Sequence, residues 1–224
     1  ASLVGYTNAG KSSILRALSS DPNVFVENRL FATLDPLTRE VELADGEDIL
    51  LTDTVGFVRK LPHQLVASFR ATLEEVLEAD VLLHVIDVSD NLWEEHRAVV
   101  VEVLSELGAN HKPVINVFNK SDLLAPDELE AVRQRVTNLI PDAVFASSEA
   151  EGGLDALRRA LLRRLRAERR VVDLRVPLSD GRLLAELHRN GDVLAQRTDG
   201  DEMIVSVRLT PEALGRLGAR AIAV

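Results

Sequence analysis

Residues 5–12 read Gly-Tyr-Thr-Asn-Ala-Gly-Lys-Ser, between a short apolar run at residues 1–4 and a helix-like stretch at residues 13–20. A strand, a glycine loop and a helix in this order form the context in which the pattern binds nucleotide phosphates. Gly5 and Gly10 let the backbone curl so that successive N–H groups point at phosphate oxygens. The helix adds the positive end of its dipole. The alternative is a tight glycine turn without a ligand, and the order of elements favours the phosphate-binding loop.

Two side chains of this loop have predicted chemical roles. Lys11 can reach the β- and γ-phosphates, which makes it a candidate catalytic residue, and the Ser12 hydroxyl can ligate Mg²⁺. The other nucleotide contacts predicted for this segment are Gly5, Tyr6, Thr7, Asn8, Ala9, Gly10 and Ser13.

A second motif, Asn119-Lys120-Ser121-Asp122, identifies the base. It closes the apolar run at residues 113–118, and ligands of open α/β sheets bind at the carboxyl ends of strands. The Asp122 carboxylate can accept hydrogen bonds from guanine N1–H and its 2-amino group, whereas adenine offers neither donor. Asn119 would reach the N7 side of the purine, and the Lys120 stem would cover one face of the base. The alternative is a polar turn after a strand, and the preceding phosphate loop favours a guanine nucleotide.

Asp53-Thr54-Val55-Gly56 ends a third apolar run, residues 49–51. Asp53 is predicted to hold Mg²⁺ through water, and the Gly56 N–H is predicted to meet the γ-phosphate. Ser147-Ser148 follows a strand-like segment at residues 143–146, where a loop would contact guanine O6 through backbone N–H groups. The alternative for this serine pair is the capping of the next helix.

Composition limits the class of protein. The chain has 224 residues, no cysteine and a net charge of −10. Residues 169–224 carry nine Arg against eight Asp or Glu, so the negative charge lies in the remainder and argues against bulk electrostatic binding of nucleic acid. Seven arginines between residues 158 and 170 suggest either a solvated helix face or a contact to RNA or an acidic partner. The sequence predicts a cytoplasmic, monomeric protein without a membrane partner.

Apolar runs alternate with helical patterns up to residue 168, which predicts a doubly wound, mostly parallel α/β sheet. We assign residues 1–168 to this nucleotide-binding domain and residues 169–224 to a small α+β domain. Only four residues precede the phosphate loop, fewer than a usual strand. We therefore expect the first strand to be truncated and an amino-terminal region to be missing.

Five stretches together resemble the HflX family of GTPases. They are Gly-Tyr-Thr-Asn-Ala-Gly-Lys-Ser (5–12), Phe-Ala-Thr-Leu-Asp-Pro-Leu-Thr-Arg (31–39), Asp-Thr-Val-Gly-Phe-Val-Arg-Lys-Leu-Pro (53–62), Ala-Thr-Leu-Glu-Glu (71–75) and Ala-Asp-Val-Leu-Leu-His-Val-Ile-Asp (79–87). The resemblance implies a Mg²⁺-dependent GTPase that binds the large ribosomal subunit and splits or rescues ribosomes. It also implies that Thr33 closes on Mg²⁺ and the γ-phosphate. Spacing alone does not distinguish Thr33 from Thr38 for this role.

The sequence also makes predictions about catalysis. Many related GTPases place a water-orienting Gln at the position of Phe57, so we expect a low basal rate that a partner raises. Besides Lys11, the predicted catalytic groups are Thr33, Gly56 and Asn8. The Asn8 side chain would ligate K⁺; the alternative is that it only stabilises the loop. Arg59 and His63 are interpreted as exposed residues without chemistry. Three functions stay open: a ribosome-coupled hydrolase, a nucleotide-gated binding module with incidental hydrolysis, and a regulatory GTPase with another partner.

Overall fold

The computed structural model describes residues 1–19, 21, 36–44, 46–57, 74–209, 211–217 and 222–223. Contacts divide the chain into two compact units, Ala1–Leu162 and Arg163–Val224. The domain limits that the sequence suggests, 1–168 and 169–224, stay a prediction. Within the described ranges, no helix has both the length and the apolar composition that crossing a bilayer requires.

A six-stranded sheet forms the centre of the first unit. Its strands are β1 (Ser2–Gly5), β2 (Leu37–Ala44), β3 (Glu47–Asp53), β4 (Leu82–Asp87), β5 (Val114–Asn119) and β6 (Val144–Phe145). Their order across the sheet is β2-β3-β1-β4-β5-β6. β2 pairs antiparallel with β3, and the other pairings are parallel. The apolar run at residues 81–86 forms a strand that is buried on both faces, as parallel sheets require.

Helices cover both faces of this sheet. They are α1 (Lys11–Ser19), α2 (Trp93–Glu106), α3 (Pro126–Leu139) and α4 (Asp155–Glu168), with 3₁₀ turns at Ala109–His111 and Ser121–Leu123. On one face, α1 and α4 contribute Ile14 and Leu157 to a core that contains Val85. On the other face, Val100 of α2 packs in a core with Leu82. The predicted doubly wound α/β fold is confirmed.

The topology determines where a ligand site can form. Because β1, β3, β4, β5 and β6 are parallel, their carboxyl ends lie at one edge of the sheet. The register places Gly5 opposite Val85 and Asp87 opposite Asn119 at that edge. The motifs at residues 5–12, 53–56, 119–122 and 147–148 all follow these strand ends.

The second unit is a small α+β structure, as the sequence predicts. Its strands are β7 (Arg170–Pro177), β8 (Asp192–Asp199), β9 (Glu202–Leu209) and β10 (Ile222–Ala223), and its helices are α5 (Gly181–Asn190) and α6 (Pro211–Leu217). The strands pair antiparallel in the order β10-β7-β9-β8. Leu183 and Leu187 of α5 pack in one core with Leu174, Val205 and other strand residues. Gly200, with a φ of 63°, makes the turn between β8 and β9.

Candidate nucleotide-binding site

The phosphate loop runs from the end of β1 at Gly5 to the start of α1 at Lys11. Its backbone takes positive φ values at Asn8 (59°) and Gly10 (96°). A Cβ atom on Gly10 would lie 2.2 Å from Nδ2 of Asn119, so only glycine fits there. The Thr7 N–H donates to the Phe57 carbonyl (2.9 Å), and the Phe57 N–H donates to the Gly5 carbonyl (3.0 Å). These bonds fix the first half of the loop to the segment that follows β3.

Lys11 is buried at the start of α1, with only 6% of its surface exposed. Its Nζ donates to the carbonyls of Gly5 (3.4 Å) and Tyr6 (3.3 Å). Burial lowers the pKa of Lys11 to about 8, and the charge of Asp53 partly opposes this shift. The chain therefore holds a desolvated ammonium group over the loop carbonyls, next to the position that phosphates would occupy.

Two oxygen side chains meet beside this lysine. The Ser12 hydroxyl donates to Oδ2 of Asp53 (2.5 Å), the last residue of β3, which is 1% exposed. Mg²⁺ binds oxygen ligands and commonly takes only one or two from protein, with waters and phosphates completing the shell. No group of three or more His, Cys, Asp or Glu that could hold a metal occurs among the described residues. The pair therefore fits Mg²⁺ that a nucleotide helps to bind. Thr33, the third predicted ligand, lies outside the described residues, as do Arg59 and His63.

Gly56 and Phe57 follow β3 and contact the loop in different ways. A Cβ atom on Gly56 would lie 2.7 Å from Cα of Thr7 and 3.1 Å from Nζ of Lys11, so the Gly56 backbone packs directly against the loop. The Phe57 side chain is 1% exposed and lies in the core that contains Leu82 and Val100. Phe57 is thus a core residue as well as an apolar one, which the sequence pattern did not reveal.

Asn119 ties the second motif to the phosphate loop. The side chain is fully buried, and its Nδ2 donates to the Ala9 carbonyl (3.0 Å). An amide nitrogen carries two protons, so one remains for an acceptor such as purine N7. The structure thereby brings the end of β5 against the loop, across 110 residues of sequence.

Lys120 is held in a defined position by β4. It adopts a left-handed backbone conformation with a φ of 63°. Its Nζ donates to Oδ2 of Asp87 (2.7 Å), the last residue of β4. The other Asp87 oxygen accepts the Ser89 N–H (3.0 Å) and the Ser89 hydroxyl (2.6 Å). Because both carboxylate oxygens are engaged, Asp87 can direct the Lys120 stem.

A hydrogen bond links the turn that contains Asp122 to the segment that contains the serine pair. Asp122 is exposed, in the 3₁₀ turn Ser121–Leu123, where its carboxylate is accessible to a ligand. The Ser121 hydroxyl donates to the Ala146 carbonyl (2.8 Å), which joins this turn to the segment that ends in Ser147-Ser148. The base motif and the serine loop are therefore one connected structure.

Ser147 and Ser148 have different surroundings. Ser147 is buried, its N–H donates to the Gly153 carbonyl (3.0 Å), and its hydroxyl accepts the N–H groups of Glu149 and Ala150. The Ser147 hydroxyl therefore stabilises the turn that precedes α4, which begins only at Asp155, and does not cap that helix; the Ser147 N–H is already used. Ser148 is the member of the pair whose N–H makes no hydrogen bond within the described part of the chain, so it is the candidate for a contact to guanine O6.

Three residues of this region belong to none of the predicted motifs. Asp87 ends an apolar run at a strand terminus, as Asp53 does, and that position was a usable signal. His84 is the single polar residue of the run at residues 81–86, and Arg97 interrupts the sheet-facing stripe of α2. Neither carries a motif, and only the fold shows that they lie near one another.

Comparison with known proteins agrees with this geometry. Residues 1–120 match the model of a family described as 50S ribosome-binding GTPase. The chain is 45% identical over 215 residues to GTPase HflX of Magnetococcus marinus, and the match covers 96% of this chain and 49% of that protein. It is 42% identical over 188 residues to GTPase HflX of Escherichia coli, covering 84% of this chain and 43% of that protein. The chain thus spans about half the length of these relatives.

Solved structures also resemble this chain over part of its length. A GTP-binding protein from Sulfolobus solfataricus in complex with GDP is 28% identical, with a TM-score of 0.56 over 72% of this chain and 50% of that one. Aquifex aeolicus Era bound to GDP and AlF₄⁻ has a TM-score of 0.59 over 72% of this chain and 55% of that one. At 23% identity, the second likeness supports the fold alone.

Proposed function

This chain belongs to the 50S ribosome-binding GTPase family, in which it groups with the HflX GTPases, and we propose that it binds GTP and hydrolyses it to GDP and phosphate. The observation that carries the proposal is the hydrogen bond from the Asn119 side chain to the Ala9 carbonyl. It fixes the base-recognition motif at the end of β5 against the phosphate loop, so that one nucleotide can reach both.

Each end of the nucleotide has its own set of residues. At the base, Asp122 would accept the guanine N1–H and 2-amino protons, Asn119 would reach N7, and Ser148 would meet O6. At the phosphates, the loop N–H groups and Lys11 would bind the charged oxygens. Ser12 and Asp53 would hold Mg²⁺, which when bound neutralises charge on the phosphate groups during transfer.

Hydrolysis by this chain alone should be slow. Phe57 occupies the position of a water-orienting residue, yet its ring lies in the core beside Leu82 and offers no hydrogen bond. The groups left to stabilise the γ-phosphate are Lys11, the Gly56 N–H, Thr33 by family resemblance, and K⁺ beside Asn8. This arrangement favours a GTPase whose rate a partner completes, since an external group can be worth about 10³–10⁵-fold.

The partner we propose is the large ribosomal subunit, in the cytoplasm, with nucleotide turnover coupled to splitting or rescuing ribosomes. The family description and the HflX relatives support this part. The arginine-rich helix α4 supports an RNA contact less strongly than its number of arginines suggests. Arg158 donates internally, to the carbonyls of Glu42 (2.6 Å) and Leu18 (3.3 Å).

The test is GTP turnover by the whole protein, measured with and without purified large ribosomal subunits. We expect the subunits to raise turnover by about 100-fold or more, within the range that a supplied catalytic group provides. The Lys11→Ala variant should give no turnover in either condition. If subunits bind in a GTP-dependent manner but leave turnover unchanged, the nucleotide-gated module replaces the coupled hydrolase. If they neither bind nor stimulate, the ribosomal part of the proposal is wrong.

A further inference from the structure

A stacked pair of rings joins the phosphate loop to the first turn of α2. The rings of Tyr6 and His96 have centroids 3.9 Å apart and an interplanar angle of 8°. Tyr6 also packs against the core that contains Leu82 and Val100. The phosphate-binding pattern accepts any residue at the position of Tyr6, so the motif assigns its ring no contact with a nucleotide. The ring instead packs on α2, which therefore helps to set its position.

The main-chain carbonyl of Tyr6 is an acceptor at the centre of the loop. It accepts the Ala9 N–H (3.2 Å) and a hydrogen bond from Nζ of Lys11 (3.3 Å). Ala9 and Lys11 are both buried, so a displaced acceptor would leave their donors without water to replace it. A shift of Tyr6 would therefore change the curvature of the loop and the position of Lys11 together.

The start of α2 is held by contacts of its own. Trp93 is buried and meets Phe118 of β5 edge to face, with ring centroids 5.3 Å apart. The His96 N–H donates to the Leu92 carbonyl (2.9 Å), and Asp90 accepts the Leu92 N–H (2.8 Å). Asp90 also lies 3.4 Å from Nδ1 of His96, but both side chains are partly exposed, so that pair contributes little. The stack is therefore the contact by which we expect His96 to act on the loop.

We propose that His96 is a positioning residue for nucleotide binding, because its stack on Tyr6 fixes the carbonyl that orients Ala9 and Lys11. This inference rests on the proposed function, since it requires that the loop bind phosphates. A loop whose N–H groups already point inward loses less conformational freedom when a phosphate binds. Removal of the stack should weaken GDP binding by about threefold to tenfold, within the range that aromatic pairs contribute. The loss should appear mainly as faster release of GDP.

The first test follows amide hydrogen exchange by NMR in the nucleotide-free chain. In His96→Ala, the Ala9 N–H should exchange about threefold to tenfold faster, because the loop opens more often. The Leu82 N–H, which donates to the Pro113 carbonyl (2.9 Å), should keep its rate, whereas a general loss of stability would accelerate both amides. His96→Phe keeps a flat ring and should restore slow exchange at Ala9. His111→Ala removes an exposed histidine before β5, at the opposite edge of the sheet, and should change neither rate.

The second test measures release of a fluorescent GDP analogue by stopped flow from His96→Ala, Tyr6→Leu and the double variant. The double variant should release the analogue no faster than Tyr6→Leu, because both changes remove one contact. Additive effects, or a His96→Ala variant with unchanged Ala9 exchange and GDP release, would overturn the positioning role alone. An unaltered chain that does not bind GDP would instead contradict the proposed function. If His96→Ala does not fold, His96→Gln, which also lacks a ring, replaces it in both tests.

Discussion

At the scale of single residues, Lys11 gives the site a measurable pH dependence. Its pKa is lowered to about 8 by burial, so the free chain loses this charge as pH rises through 8. Nucleotide phosphates require the ammonium form, and binding above pH 8 must therefore take up a proton. We predict that the Kd for GDP rises between pH 7.5 and 9.5, approaching about tenfold per pH unit above 8.

Calorimetry in buffers of different ionisation enthalpy measures both the affinity and the proton uptake. The matched control is Lys11→Arg, whose guanidinium stays charged throughout this range and should give a flat profile if it binds GDP. A flat profile and no proton uptake in the unaltered chain would contradict the proposed role of Lys11.

A substitution at Asn8 tests whether K⁺ bound beside this residue stabilises the charge on the γ-phosphate during hydrolysis. It is exposed in the loop with a φ of 59°, a conformation in which alanine would be strained. We predict that replacing K⁺ by Na⁺ at fixed ionic strength lowers GTP turnover, and that Asn8→Gly, which tolerates the backbone, removes the difference. A steady-state phosphate assay measures both. Turnover indifferent to the alkali ion in the unaltered chain would eliminate the potassium role.

The residue scale also shows where sequence reasoning ends. Lys11, Ser12 and Asn119 could be predicted because their motifs have fixed spacing around strand ends, and the fold brings them together. The position of Asp87 at a strand end was a signal in the sequence, but its role was not, because that role arises from a contact with Lys120, 33 residues away. The sequence predicts that Phe57 supplies no hydrogen bond, but only packing shows that its ring lies in the core.

At the scale of elements, the ends of β4 and β5 are coupled through the Asp87–Lys120 ion pair (2.7 Å). Because Asp87 is itself held by Ser89, it can position the Lys120 stem over a bound base. We predict that Asp87→Asn weakens GDP binding by about fivefold to thirtyfold, which corresponds to a coupling of about 1–2 kcal/mol. The same change in a Lys120→Met background should have little further effect.

Fluorescent GDP displacement on the four proteins of this cycle measures the coupling. Asp90→Asn is the control, because that carboxylate lies on the same turn but contacts His96 instead of Lys120. Equal losses from Asp87→Asn with and without Lys120 would contradict this prediction, because they would show that Asp87 does not act through Lys120.

Element existence was far easier to predict than element arrangement. The buried runs at residues 49–51, 81–86 and 113–118 indicated strands because a continuous apolar run suits a sheet that is covered on both faces. The strand order and the left-handed turn at Lys120 depend on contacts between distant segments, which periodicity does not record. Residues 22–35 and 58–73, which contain Thr33 and His63, lie outside the described residues, so their assignments stay predictions.

At the scale of the whole molecule, the candidate site draws on residues from Gly5 to Ser148, at the carboxyl edge of one sheet. The second unit carries none of the predicted nucleotide contacts. The negative charge of the chain lies mainly in the nucleotide-binding part, so affinity for an anionic nucleotide must come from local donors rather than from the overall field. The central claim is therefore a single site that recognises guanine and phosphates together.

Calorimetric titration of the chain with GTP, ATP and XTP, in the presence of Mg²⁺, tests that claim most directly. We predict that GTP binds more tightly than ATP by about 10⁴-fold, because adenine would leave the Asp122 carboxylate unpaired. In Asp122→Asn, an amide can donate to the additional carbonyl of xanthine, so the preference should move from GTP to XTP. Comparable affinities for GTP and ATP in the unaltered chain, or an Asp122→Asn variant that keeps the preference for GTP, would contradict the account.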